Sequence, residues 1–152
     1  MGQYHYIVNL TKKEFLHPHH LDDGLKLREF SSGGLSIQGL TLLLASSNGL
    51  GGGDFRISEE FDHISGRWAG DQIVIAGDYD DKEGSPGCGI YSACNEGKFK
   101  DISYEVLLAL LSNEWDLKEF LNTGNEYIDK TRSDLLKEAK KQHKQSKKKE
   151  TV

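Results

Sequence analysis

The sequence predicts an α+β domain in which a small, mostly antiparallel sheet packs on a buried central helix, with further helices at the C-terminal end. Three observations support this fold class. Apolar residues alternate near the N-terminus, as in a strand. Residues 35–47 are apolar on nearly every side with helical spacing, and amphipathic stripes recur after residue 101.

The strands are predicted first from their period-two pattern. Apolar side chains occupy every second position at Tyr4, Tyr6, Val8 and Leu10. Residues 14–17 indicate a returning strand that ends at Pro18, because proline cannot donate a hydrogen bond to a sheet. Residues 25–30 and 63–68 are predicted as short strands. Residues 72–79 are predicted as a further strand, and its part 72–77 is apolar on both faces, which predicts a central position.

Four helices are predicted. Residues 35–47 form the first and most buried one, and Asn48-Gly49 ends it because both residues tolerate a left-handed conformation. Residues 101–111 carry a clean amphipathic stripe behind helix-start residues. Residues 115–121 continue as a short helix. The last helix begins after residue 125 and carries Ile128, Leu135 and Ala139 on one side.

The domain organisation follows from length and charge. The chain has 152 residues, which fits one domain, and its net charge is -5. We expect residues 1–125 to be a single globular domain and residues 126–152 to be a basic helical tail, frayed at its end. The tail holds nine Lys/Arg against five Asp/Glu. The acidic body therefore argues against nucleic-acid binding except through the tail, which is otherwise a solvated end.

Several classes of protein are excluded by simple patterns. Every uninterrupted apolar run, such as residues 42–45, is far shorter than the roughly 20 residues of a membrane span. The first residues carry neither a basic nor an apolar secretory region. The two cysteines, Cys88 and Cys94, do not make a disulfide scaffold. We therefore expect a cytoplasmic protein that does not bind membranes.

Histidines and carboxylates are concentrated after the second predicted strand. His17 and His19 point the same way if the backbone is extended, and Asp22 and Asp23 follow closely. Two imidazoles with a carboxylate suit a divalent transition metal. His17 and His19 are therefore candidate residues for binding a small ligand or a metal. The alternative is an ordinary polar loop.

A second acidic cluster follows residues 72–77. Asp78, Asp80 and Asp81 lie within four residues of one another and repel, so they need a counter-charge. A metal ion, a cationic ligand, or an arginine such as Arg67 or Arg56 would supply it. The alternative is a solvated turn. Asp78 and Asp80 are the candidate metal ligands of this cluster.

A glycine run follows the predicted central helix. Glycine runs can bind phosphates, but phosphate loops lead from a strand into a helix, whereas this run follows a helix. We interpret it as a lid or a closely packed loop beside a ligand. The remaining candidate ligand-binding residues are Gly51, Gly52, Gly53, Asp54, Arg56, Arg67 and Trp68.

The sequence also resembles a family of small uncharacterised bacterial and bacteriophage proteins. The resemblance lies in NLTKKEFLHPH (9–19), DGLKL (23–27), GGGD (51–54), WAGD (68–71) and GDY (77–79), and it covers about the first 110 residues. It supports a single domain and supplies no catalytic residue. A phage-encoded protein of this size would capture a host signal or block a host factor.

Together these observations favour a non-enzymatic binding domain over an enzyme. The loops that carry His17, His19, residues 51–54 and residues 78–81 would surround a small polar ligand or part of a host protein. The alternative is a metal-dependent hydrolase that uses the His17/His19 and Asp78/Asp80/Asp81 clusters with a divalent metal.

Overall fold

The structure is a computed structural model that describes residues 2–150, and it has the α+β architecture expected from the sequence. Four strands form one mixed sheet: β1 (His5–Asn9), β2 (Glu14–Leu16), β3 (Ile73–Gly77) and β4 (Lys100–Asp101). Their order in the sheet is β3-β1-β2-β4. Strand β1 is antiparallel to both neighbours, and β4 is parallel to β2.

Helices make up most of the remaining regular structure. They are α1 (Leu27–Phe30), α2 (Leu35–Leu44), α3 (Ile90–Asn95), α4 (Ser103–Leu110), α5 (Glu114–Leu121) and α6 (Glu126–Glu150), with 3-10 helices at Pro18–Leu21 and Glu59–Ile64. Within residues 2–150 no helix combines the length and the apolar character that crossing a membrane requires.

The sheet is buried on both faces at β1. Successive side chains of a strand point to opposite faces, so Ile7 enters the main core while Tyr6 and Val8 enter a smaller apolar cluster under α3. All five residues of β1 are buried. The alternating N-terminal pattern therefore belongs to the central strand of the sheet.

Helix α4 lies at the centre of the main core. Six of its eight residues are buried, and it packs against α2, α6 and both 3-10 helices. Helix α2, predicted as the most buried helix, leaves Leu44 41% exposed. The prediction that residues 35–47 form the most buried helix is therefore wrong, because α4 occupies the centre of the core.

Three predicted strands differ from the structure. Strand β3 matches the prediction for residues 72–79 in type but lies at the edge of the sheet, with Ile75 43% exposed. Residues 63–68 form the end of a 3-10 helix and turns, where Gly66 adopts a φ of 73°. Residues 27–30 form α1 rather than a strand, because the Glu29 carboxylate accepts the backbone N–H of Lys26 and caps the helix start.

Helix α6 packs along the body of the domain. Leu136 and Ala139 are buried against α4. The Nε of Arg132 donates to a carboxylate oxygen of Asp22 at 3.0 Å, and its guanidinium lies 4.7 Å above the ring of Phe120. This segment, predicted as a basic tail, thus covers core side chains over its first half.

Candidate functional site

The histidine cluster is part of a column of aromatic rings. His17 stacks on His20 at 4.2 Å between ring centroids, and His20 stacks on Tyr104 at 4.5 Å. On its other side His17 contacts Tyr6, which stacks on Tyr91 at 4.1 Å. His17 is therefore held by packing.

Burial dominates the electrostatics of this column. Desolvation, followed by the charge of His20, lowers the pKa of His17 to about 4. The Nδ1 of His20 lies 2.8 Å from the Asp101 carboxylate. Although burial raises it, hydrogen bonds from His20 and Ser103 bring the pKa of Asp101 below its ordinary value. The carboxylate thus pairs with His20, which the sequence analysis did not single out, while His19 is exposed.

The acidic turn after β3 is held by local hydrogen bonds. Asp78 accepts the backbone N–H of Tyr4 at 2.9 Å, and Asp80 accepts the hydroxyl of Ser85. Asp81 is exposed. Arg67, one of the counter-charges considered for this turn, pairs with Glu14 instead.

The structure keeps the two candidate metal clusters on separate strands. His17 follows β2 and Asp78 follows β3, and β1 lies between these strands. Two strand spacings put their backbones about 10 Å apart. Within residues 2–150 no three His, Cys, Asp or Glu side chains are grouped so that they could hold a metal ion.

The glycine loop binds its own carboxylate. The backbone N–H groups of Gly49, Leu50 and Gly51 donate to one oxygen of Asp54 at 2.9, 2.9 and 3.2 Å. Successive amides that converge on one point form an anion-binding concavity. Here an internal anion occupies the concavity, so these amides are already satisfied.

The glycine loop also lies apart from the histidines. Asp54 and Arg56 line a cavity of about 460 Å³ with Trp115, beside the residues that follow α4. His17, in contrast, donates its backbone N–H to Ser103 at the start of α4. The helix between them is about 12 Å long. The structure therefore does not gather the predicted loops around one ligand.

Arg67 and Trp68 serve the buried carboxylate of Glu14. The guanidinium of Arg67 donates two hydrogen bonds to it, and Trp68 Nε1 donates a third at 2.9 Å. Burial raises the pKa of Glu14, but these hydrogen bonds bring it below its ordinary value. Trp68 is fully buried. These contacts give Arg67 and Trp68 a structural role beside Glu14, and the carboxylate that Arg67 pairs with is Glu14 rather than one of the Asp78 turn.

The structure also contains a groove beside α4 that the sequence did not predict. We call it the α6 groove: a cavity of about 430 Å³ between the 3-10 helix Glu59–Ile64, α4, α5 and α6. Its floor and walls are apolar side chains from these four elements. They are Phe61, Leu108, Leu111, Leu117 and Leu136.

The rim of the α6 groove is basic. Lys140, His143, Lys144 and Lys147 line it from α6. The carboxylate of Glu60 lies opposite, 2.7 Å from Lys147 Nζ and 3.5 Å from His143 Nε2. Hydrogen bonds from Lys147 and His143 lower the pKa of Glu60.

Further lysines extend this basic surface along α6. A shallow cavity of about 410 Å³ is lined by Lys137, Lys140, Lys141, Lys144 and Lys148, with Gln145. The helical spacing of Leu136, Lys140 and Lys144 places them on neighbouring positions of one face. The prediction from the sequence placed Ile128, Leu135 and Ala139 on the apolar side. Ala139 is fully buried and Leu135 is half-buried, but Ile128 is 39% exposed.

The fold and the groove define an α+β domain with an apolar cleft bordered by lysines. Comparison of the chain with protein-family models, with curated proteins and with solved structures finds no match.

Proposed function

We propose that this protein is a non-enzymatic binding domain whose α6 groove takes an acidic, amphipathic segment of a partner protein. The observation that supports the proposal is the combination of an apolar floor with a lysine rim in one cleft. Each part of this surface favours a different part of the partner.

The floor favours apolar anchors. Leu108, Leu111 and Leu136 are nearly buried, but they form the wall of a cleft that is open to solvent. A volume of about 430 Å³ is within the usual range of ligand sites. Each Leu-sized side chain that a partner buries there contributes about 1.5–3 kcal/mol before the costs of association.

The rim favours negative charge. Lys140 and Lys144 border the groove and belong also to the lysine surface that runs from Lys137 to Lys148. The eleven helical steps from Lys137 to Lys148 extend over about 16 Å. A surface of this length suits an elongated segment of a polypeptide, such as a helix, better than a compact small molecule. An amphipathic helix that lays its apolar side into a groove is a common mode of recognition.

This proposal keeps the binding role expected from the sequence and moves it from the polar loops to the α6 groove. A domain of this kind acts by occupying its partner's surface, as a protein that blocks a host factor would. The metal-dependent hydrolase, the alternative considered from the sequence, stays a prediction.

The test is the binding of a fluorescent model peptide, followed by anisotropy. The probe is a helix-forming peptide of roughly four turns with leucines on one face and glutamates on the other. A peptide of the same composition in scrambled order is its control. We expect the amphipathic peptide to bind more tightly, with an affinity that falls as salt is added.

Charge-reversal variants locate the binding. Lys140→Glu with Lys144→Glu should weaken the binding at least about tenfold, or roughly 1.4 kcal/mol. Lys82→Glu with Lys98→Glu makes the same charge change on exposed residues outside the groove. Equal losses in both double variants, or equal binding of the two peptides, would contradict the proposal.

A further inference from the structure

Within residues 2–150, strand β3 leaves one edge of the sheet without a neighbouring strand. Among these residues it pairs with β1 alone, while α3 packs against it without pairing. Leu10 donates its N–H to the carbonyl of Gln72, and Asp78 donates to the carbonyl of Tyr4. In an antiparallel pair the hydrogen-bonded positions alternate, so Val74 and Ala76 also face β1.

The backbone groups at the other positions of β3 therefore point outward. These positions are Ile73, Ile75 and Gly77. In the part of the chain that the structure describes, no hydrogen bond uses the backbone N–H or C=O of Ile73 or Ile75. The side chain of Ile75 is 43% exposed beside this edge.

The edge also lacks the features that usually prevent pairing. Natural edge strands carry charges, prolines or bulges that discourage association with another strand. Strand β3 reads Ile-Val-Ile-Ala-Gly, which contains neither a charge nor a proline. This uncharged strand differs from the rest of residues 1–125, in which acidic residues outnumber basic ones.

We propose that two copies of this chain associate through β3, antiparallel and related by a twofold axis at Ile75. Ile75 is the middle residue of the strand, so this register places Ile75 opposite its own copy and Ile73 opposite Gly77. The outward N–H and C=O groups of Ile73 and Ile75 and the N–H of Gly77 are the ones that would exchange hydrogen bonds in such a register, whereas the carbonyl of Gly77, which is buried, already accepts the N–H of Asp80 at 3.2 Å. The two sheets then form one continuous sheet of eight strands.

Self-complementarity is the reason for choosing a second copy as the partner. An interface on a twofold axis needs one surface that matches itself, and the outward positions of β3 are symmetric about Ile75. The two exposed Ile75 side chains lie on the same face and cover each other. The register also sets Asp78 opposite Gln72 of the second copy, so no like charges face each other directly.

The first test is the mass of the protein in solution over a concentration series. We expect the wild-type mass to rise from monomer to dimer. Ile75→Lys should stay monomeric, because like charges directly opposite each other destabilise a strand pair. The matched control is Leu50→Lys, which changes an 84% exposed residue outside β3 and should dimerise as the wild type does. Circular dichroism checks that both variants are folded.

A cross-link tests the register independently of any loss of folding. Hydrogen-bonded antiparallel pairs have Cα atoms about 5.5 Å apart, which suits a disulfide. Ile75→Cys, with the exposed Cys88 replaced by Ser, should form a covalent dimer on oxidation with glutathione disulfide. Leu50→Cys in the same background should form far less.

Three results would overturn the proposal. They are a wild-type protein that is monomeric throughout the series, an Ile75→Lys variant that dimerises like the wild type, and equal cross-linking through Leu50→Cys. None of these results depends on the α6 groove.

Discussion

Glu14 carries a prediction about the interior of the domain, since the residue is only 4% exposed and its carboxylate accepts hydrogen bonds from Arg67 and Trp68. Glu14→Ala leaves the indole N–H of Trp68 buried without an acceptor, which costs about 1–3 kcal/mol. It also removes the counter-charge of Arg67. Because the Arg67 side chain is 34% exposed, water compensates for part of that loss. We expect a total destabilisation of about 3 kcal/mol.

Glu14→Gln separates the charge from the hydrogen bonds. Its amide oxygen still accepts the Trp68 N–H, so we expect about half the effect of Glu14→Ala. The assay is urea unfolding at neutral pH, with Glu83→Ala as a control on an exposed loop residue. Surface changes of that kind usually stay within about 0.5 kcal/mol. A loss below about 1 kcal/mol for Glu14→Ala would refute the structural role of this cluster.

Three further predictions concern the core, the histidine column and the end of α6. Leu43→Ala should lower the free energy of unfolding by about 2–5 kcal/mol in urea titrations, whereas Ile75→Ala, at an exposed edge, should cost about 1 kcal/mol or less. His17 stays neutral in the folded protein down to about pH 4, whereas the unfolded chain takes up its proton near pH 6.5. The free energy of unfolding should therefore fall by about 1–3 kcal/mol as the pH is lowered from 6.5 to 4. His17→Phe should reduce this pH dependence, as measured by unfolding curves at the two pH values. Deleting residues 142–152 removes the contacts of His143 with Phe61 and of Lys147 with Glu60 and should lower stability by only about 1 kcal/mol in a melting curve. It should weaken binding of the acidic peptide without abolishing it, because Lys140 and the apolar floor of the groove remain. Unfolding on truncation, or a pH dependence unchanged in His17→Phe, would contradict these expectations.

Local periodicity was sufficient for the elements whose environment is uniform. The alternation from Tyr4 to Leu10 predicted β1 because Tyr6, Val8 and Leu10 pack together in the smaller apolar cluster, and the stripe in residues 101–111 predicted α4 because that helix packs on the main core along its length. The same reasoning failed for β3. An apolar run does not distinguish a central strand from an edge strand whose two faces are partly covered.

The candidate site was harder to predict because its contacts are long-range. Arg67 and Trp68 donate hydrogen bonds to Glu14, which lies more than 50 residues earlier in the sequence. Because the sequence does not show this contact, the two residue types suggested a bound ligand, whereas the fold supplies an internal partner. The α6 groove combines residues from three distant segments, 58–61, 108–117 and 136–147. The glycine loop is the exception. Asp54 lies within five residues of the amides whose hydrogen bonds it accepts, so this contact could have been predicted from the sequence.

A backbone-amide NMR titration with the amphipathic acidic peptide tests the central claim most directly, because it reports the binding surface without any substitution. We expect the shifted amides to cluster at the α6 groove, in residues 58–61, 108–117 and 136–147. Shifts centred instead on His17, on residues 51–54 and on residues 78–81 would contradict the account and return the binding site to the loops predicted from the sequence.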